Sequence, residues 1–371
     1  MKNEDPCADR IGIFFYGGIM ESLGEKQFIW EYLQTVQKPI VIYGMGDGCE
    51  KIFNVCRRHG IPIAGIFASD EYVRGHSFLG YPVLRYTEAK ERFGEMIILL
   101  AFAAFESGLV QKIKGIMEEN ELYAPDVPLF GGELFDRAYL EQHREELQTV
   151  FDRLADETSK HVFRSVLAFK ISGKPSYLFD CETSKDEAFS NILTLGKEEC
   201  YADLGAYDGD TVSEFLDVVG GNFRTIYAFE PNPKNFRKLS KNFGERERIN
   251  LIPKGVWDCT TELHFNLKAG RSSAADESAS GVAEVTAVDE WIEEPLSYIK
   301  FDVEGAEREA LKGCERQIRM HRPKIALSAY HRTEDLFALP LQVLSCFPEY
   351  RLYLRHHPYV PAWDTLYYFV P

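Results

Sequence analysis

Tyr201-Ala202-Asp203-Leu204-Gly205-Ala206-Tyr207-Asp208-Gly209-Asp210-Thr211 decides the reading of this chain. The apolar start predicts a strand, the two glycines a turn, and Asp210-Thr211 the opening of a helix. A ligand that lies flat against backbone needs glycine in such a turn, because a Cβ would block its approach. The free N–H groups of the following helix then face the same crevice. Asp203, placed before the first glycine, is available to a cationic amino group, which a nicotinamide dinucleotide lacks.

Downstream of this turn the sequence alternates between strand and helix. Strands are expected at Cys200–Leu204, Thr225–Phe229, Ile249–Lys254, Tyr298–Asp302 and Lys324–Ala329, then at Arg351–Leu354 and Thr365–Val370. The last two are separated by a short proline-containing loop. Parallel neighbours need a long crossover, so this final pair is expected as an antiparallel hairpin.

Ligands of such sheets bind at the carboxyl ends of the strands, and three further strand ends carry candidate groups. Glu230, in Phe229-Glu230-Pro231-Asn232, follows Gly209 at roughly the 20-residue spacing of an acid that grips a ribose diol. Lys300, Asp302 and Glu304 fall on one side of the next strand if it persists that far. Three charges together at a strand end are costly to bury unless they pair or do chemistry; mutual salt bridging is one account, a catalytic or metal-binding role the other. His331, in Tyr330-His331-Arg332, ends the neighbouring strand, where a general base is expected to titrate near neutral pH. His356 and His357 are expected near the substrate mouth without being essential. The small polar run Gly270 to Ala275 suits a loop that closes over a ligand.

Asp203-Leu-Gly205-Ala-Tyr-Asp-Gly209-Asp-Thr211, Phe229-Glu230-Pro231-Asn232 and Lys300-Phe-Asp302-Val-Glu304-Gly305-Ala-Glu307 resemble the motifs of FkbM-type S-adenosylmethionine-dependent methyltransferases. The resemblance covers residues 197–371. It implies an α/β class I methyltransferase sheet of seven strands, the last one antiparallel. It further implies an O-methyltransferase acting on a sugar, glycan or natural-product hydroxyl in a bacterial pathway. By that likeness Asp203, Gly205, Ala206, Tyr207, Gly209, Thr211, Glu230, Pro231 and Asn232 hold S-adenosylmethionine, and Asp302 lies near the transfer site with Lys300, Glu304 and His331. Tyr207 departs from the pattern, since a glycine is usual there. A divalent metal is a further expectation, with no ligand set assigned. The acidic Asn-Pro-Pro-Tyr-like motif of amino-group methyltransferases is absent at the fourth strand, which tilts the acceptor toward oxygen.

Upstream, Ile40-Val41-Ile42-Tyr43-Gly44-Met45-Gly46-Asp47-Gly48-Cys49 predicts a second strand-turn-helix. A helix is expected before it at Glu25–Gln37, and strands follow at Ile63–Phe67 and Met96–Phe102. Residues 1–128 therefore read as a smaller Rossmann-like domain of three strand–helix units. Cys49 stands where a dinucleotide fingerprint has its third glycine. This domain either holds a nucleotide or nucleotide-sugar, with Asp70 at the ribose, or keeps an empty crevice and serves docking. Residues 129–196 repeat apolar positions at helical spacing (Leu140, Leu147, Val150, Phe151, Leu154) and read as a helical linker or lid. Residues 197–371 are the methyltransferase domain.

Bulk properties exclude several classes. Of 371 residues, 45% are hydrophobic and 27% charged, so a large core is available. A net charge of -16 opposes binding to nucleic acid or anionic membrane, which leaves a small-molecule or carbohydrate substrate. The eight cysteines form no CxxC pair, so they are read as free thiols. The apolar run from Ile11 to Met20 is too short for a span, which takes roughly 20 residues, and lacks a signal peptide's basic flank; a cytoplasmic location is expected. The sequence does not specify an oligomeric state. Two other readings remain open: a non-catalytic nucleotide or nucleotide-sugar sensor, and an NAD-linked oxidoreductase using Gly44-x-Gly46.

Overall fold

Four consecutive apolar residues with no alternation, Ile40–Tyr43 (β1), form a strand buried on both faces, as a parallel strand between helices must be. The structure, a computed structural model, describes residues 19, 23–265 and 281–371, without the side chains of 264, 265 and 281. The expectations for Ile11 to Met20 apart from residue 19, and for the 270–275 loop, lie outside these residues.

The first sheet has six strands. Besides β1 it holds Gly65–Phe67 (β2), Ser77–Phe78 (β3), Tyr81–Leu84 (β4), Ile97–Leu100 (β5) and Glu121–Tyr123 (β6), in the order β3-β4-β2-β1-β5-β6. The sequence reading found β1, β2 and β5. It missed β3 and β6, which are two and three residues long, and β4, which a proline, Pro82, interrupts. The expected helix at Glu25–Gln37 is shorter, Ile29–Thr35, because Phe28 and Val36 are already extended at its two ends.

The second sheet has seven strands: Cys200–Leu204 (β7), Thr225–Phe229 (β8), Ile249–Ile252 (β9), then Tyr298–Phe301, Lys324–Ser328, Arg351–His356 and Thr365–Val370. A three-stranded sheet not expected from sequence stands between them in the chain, formed by Gly255–Val256 (β10), Thr261–Phe265 (β11) and Gly281–Thr286 (β12). The remaining four are β13 to β16, and the large sheet runs β15-β16-β14-β13-β7-β8-β9. β16 lies antiparallel between β14 and β15, while β14, β13, β7, β8 and β9 pair in parallel. This is the class I methyltransferase arrangement, hairpin included.

The helix Glu157–Ser172 joins the two sheets, and 11 of its residues are buried. Val41 and Ile98 of the first sheet, Phe163 and Phe169 of this helix, and Leu204 and Phe301 of the second belong to one core. Asp156 caps the helix by accepting from the Ser159 N–H at 2.7 Å. Arg355 of β15, 2% exposed, binds Asp156 Oδ2 at 2.7 Å and Glu187 Oε2 at 2.9 Å. One buried guanidinium thus fixes the helix start and the 185–193 segment to the sheet edge. The described cysteines are free thiols, with Cys49, Cys56, Cys181, Cys200 and Cys314 buried.

Removing the Arg355 guanidinium leaves two partly buried carboxylates without their donor. Arg355→Met is expected to lower the unfolding free energy by about 2 kcal/mol, read as a shift in the urea midpoint; an unchanged midpoint shows the cluster to be dispensable.

Candidate active site

A cavity of about 790 Å³ opens at the carboxyl ends of β7, β8, β13 and β14, the size of an ordinary ligand site. The turn after β7 forms one wall. Gly205 has φ +95, and a Cβ there would stand 1.9 Å from the Asp302 carbonyl oxygen. The glycine therefore lets the ends of β7 and β13 touch. Gly209, φ +93, is closed the same way by the Phe243 ring, 2.3 Å from a virtual Cβ. Tyr207 adopts φ +49 between them. Its N–H donates to Glu230 Oε2 at 2.9 Å, and its ring lies under the Lys238 ammonium. A non-glycine residue is thus accommodated in the left-handed region with its side chain out of the turn.

Glu230 lines the cavity at 6% exposure, its other oxygen accepting from the Asn232 N–H at 2.8 Å. Burial pushes its carboxyl up to about 7 despite these bonds. Pro231 and Asn232 also line the wall, and Asn232 caps the helix Pro233–Phe243.

Asp203 departs from its expected place. It is fully buried, is not part of the cavity wall, and accepts from the Thr211 hydroxyl at 2.5 Å while facing Lys300 at 3.5 Å. It is positioned to support Thr211 and Lys300, both of which line the cavity, rather than to meet a ligand amine itself. Ala206 is likewise buried behind the wall.

Lys300 lies between Asp203 and Asp302, 3.4 Å from the latter. Burial disfavours its charge, but the two carboxylates outweigh that and hold it firmly as a cation. Burial raises the Asp203 carboxyl, with Lys300 and Thr211 pulling the other way. Asp302 is held below the usual carboxylate range: burial opposes this, and Lys300 and His331 outweigh it. Its Oδ1 also accepts from the Tyr330 hydroxyl at 3.0 Å.

β13 ends at Phe301, so strict alternation does not carry Glu304 to the same face. A turn does so instead: Glu304 takes φ +55 before Gly305 and comes within 3.6 Å of His331 Nε2. Burial raises its carboxyl to about 7, with His331 opposing.

His331 is 1% exposed, with Nδ1 2.9 Å from Glu307 Oε1 and Nε2 3.6 Å from Asp302 Oδ1. Burial disfavours the imidazolium, yet Glu307, Asp302 and Glu304 raise it to about 10. This corrects the expectation of a neutral general base: the ring already carries its proton at pH 7. His356 and His357 lie in the core instead of at the mouth; burial lowers His356 to about 3, and His357 Nε2 meets the Tyr368 hydroxyl at 2.7 Å.

Asp302, Glu307 and His331 place ligand atoms within 4.8 Å of one another. Each ring nitrogen of His331 nevertheless faces a carboxylate as an ion pair, without hydrogen-bond geometry at Nδ1 and at 3.6 Å from Nε2. Asp302 is also engaged by Lys300 and the Tyr330 hydroxyl, so the group forms an ion-pair network rather than an open metal site.

The first sheet also reaches this site. The Phe130 N–H donates to the His331 carbonyl at 3.0 Å, and its ring fills the space beside Gly305. Phe105 and Leu129 line the cavity. Sequence reading missed these residues, together with Glu307, Tyr330, Lys185, Glu214, Tyr359, Trp363 and Asp364; Glu307 and Tyr330 stood inside the quoted motifs, and the others carried no local signal. In the first sheet, a Cβ at Gly44 would stand 2.5 Å from the Phe102 ring and one at Gly48 2.2 Å from the Ala101 carbonyl. Chain packing accounts for these two glycines. Asp70 is exposed in the turn Asp70–Tyr72.

Residues 203–361, somewhat under half of the chain, match the family "Methyltransferase FkbM domain". They form an FkbM domain. The methyltransferase FkbM from Methylobacillus flagellatus KT superposes with a TM-score of 0.70 at 24% identity, covering 95% of this chain and 92% of that one; both sheets are thus shared with that fold. An rRNA methylase from Streptococcus thermophilus (15% identity, 53% of this chain and 96% of that, TM-score 0.34) is similar over part of the length. So is Aeropyrum pernix fibrillarin with natively bound S-adenosyl-L-methionine (15% identity, 50% and 73%, TM-score 0.33). Likeness at that level says nothing about chemistry in the FkbM domain here. A search of curated protein sequences found no match.

The His331 charge sets a pH dependence of stability. Its folded value lies above the ordinary 6.5, so its contribution is complete below about 6.5 and fades as pH rises toward 10. Urea denaturation of His331→Gln is expected to lose this alkaline decline relative to the parent; parallel curves over that window refute the assignment of charge.

Proposed function

We propose that the protein is an S-adenosylmethionine-dependent O-methyltransferase acting on a hydroxyl of a sugar, glycan or natural-product intermediate in the cytoplasm. The supporting observation is that the FkbM domain's three motifs line one cavity at adjacent strand ends. Among the described residues no helix is long and apolar enough to cross a membrane.

Gly205, Tyr207, Gly209, Thr211, Glu230, Pro231 and Asn232 would hold the cofactor. The fit rests on Glu230, a buried carboxylate facing the cavity and pushed up to about 7, for which the hydroxyl donors of a ribose are suitable partners. When bound, the cofactor supplies a methyl group on a cationic sulfur. The protein orients the acceptor oxygen in line with that carbon and takes its proton.

Among the cavity-lining acids, Glu304 suits the proton transfer. Its side chain is 42% exposed toward the cavity, and its value near 7 matches what a base needs at neutral pH. Asp302 is held too strongly ionised by Lys300 and His331 to be as good a base; it anchors the Tyr330 hydroxyl. Lys300 and His331 act as fixed charges. The left-handed backbone of Glu304 is a strained conformation of the kind that clusters at active sites.

A nucleotide sensor or NAD-linked enzyme using the first crevice is less well supported, because Phe102 and Ala101 pack against Gly44 and Gly48. Calorimetry with S-adenosylhomocysteine and with NAD separates the readings: binding of the former is expected, and binding of NAD alone overturns the proposal.

With an acceptor in hand, turnover should rise with pH through about 7 as Glu304 deprotonates. Glu304→Gln should abolish that limb and reduce kcat about a hundredfold with S-adenosylhomocysteine affinity unchanged. EDTA-treated protein should keep its activity; loss restored by Mg²⁺ would reverse the conclusion about the metal.

A further inference from the structure

The cavity mouth is built by both halves of the chain. Ala104, just beyond β5, and Val360, in the β15–β16 loop, exchange two backbone hydrogen bonds of 2.7 and 2.9 Å. Their neighbours Phe105 and Tyr359 stack, with centroids 5.2 Å apart and planes inclined by 18°. Tyr359 then meets Trp363 at 6.1 Å. All three rings line the cavity. Phe105 remains 48% exposed, so part of its ring is open to a ligand in the cavity.

The cavity lining carries both signs of charge, with carboxylates in the majority. Asp364 follows Trp363 in a left-handed backbone conformation. Lys185 lies 3.5 Å from Asp364 and 3.6 Å from Glu214, so its charge is already engaged. Glu304 stands on the same cavity wall. Lys254, Lys300 and His331 in the same lining are likewise paired with carboxylates, while Arg332 donates through Nε to the Gly305 carbonyl.

Resting on the methyl-transfer reading, we infer that Phe105, Tyr359 and Trp363 form an acceptor platform for the ring of an unphosphorylated, neutral or amine-bearing glycoside. The C–H face of such a ring covers the aromatic surface, and its hydroxyl or amino edge meets Asp364, Glu214 and Lys185. A simple acyl chain leaves those polar groups unmatched, and a nucleoside-diphosphate sugar must compete with carboxylates for every lining cation but Arg332. The first domain then contributes Phe105, one of the three rings of the platform.

The test uses the full chain with methyl glycosides of common hexoses and hexosamines, and with the UDP-linked forms of the same sugars. Tryptophan fluorescence reads binding, and transfer of labelled methyl from S-adenosylmethionine reads turnover. Methyl glycosides are expected to change the fluorescence, Trp363→Phe to remove that change, and the UDP forms to bind at least tenfold more weakly. Phe105→Ala should raise KM for the glycoside about tenfold, with kcat and S-adenosylhomocysteine affinity little altered, and Phe105→Tyr should restore it. Equal or tighter binding of the UDP forms, no response to any glycoside, or an unchanged KM in Phe105→Ala overturns the inference. If glycosides bind while S-adenosylhomocysteine does not, the platform stands and the methyl-transfer reading falls.

Discussion

Lys300 is the cation on which the cavity end of the large sheet depends. It is buried between Asp203 on β7 and Asp302 at the end of β13. Beyond Asp302 the charge alternates again through His331 to Glu307 and Glu304. Each member makes its neighbours' burial tolerable, since an isolated buried charge is prohibitively costly and a compensated one is not. The row therefore fixes three strand ends relative to one another. It also sets the division of labour among the acids: Asp302, beside Lys300 and His331, stays ionised, while Glu304, at the outer end, is pushed toward neutrality.

The two halves of the chain are held together by more than a tether. The helix Glu157–Ser172 lies in a core shared by both sheets, and the Arg355 cluster pins its start to β15. At the opposite end of the contact, Phe130 closes against Gly305 and its backbone bonds to that of His331. Backbone pairing between Ala104 and Val360 completes the seam. The cavity is consequently a property of the assembled chain, although the family model matches residues 203–361 alone.

Much of the large sheet was legible because its strands are continuous apolar runs ending in glycine or charge, and periodicity is the strongest sequence signal. The turn from Asp203 to Thr211 and the groups Glu230, Lys300, Asp302, Glu304 and His331 could be named for the same reason. Their protonation states could not. Whether His331 is base or cation depends on Glu307, at the start of the helix after β13, and on the depth of both in the core. Asp203 was misplaced because a strand's last residues point alternately into the crevice and into the protein, and register alone does not say which. Phe105, Leu129 and Phe130 were invisible because their contact with the site spans some 200 residues of chain, a separation on which local patterns carry no information.

The seam at Ala104 and Val360 has a thermodynamic corollary. A molecule resting on rings from both sides of it contacts two structural units at once, so whatever it gains on binding also resists their separation. Occupancy of the mouth and cohesion of the two halves are then linked, each strengthening the other by the same free energy. Local opening of the seam, as read by hydrogen exchange at these two backbone amides, becomes a measure of how tightly any ligand at the mouth is held.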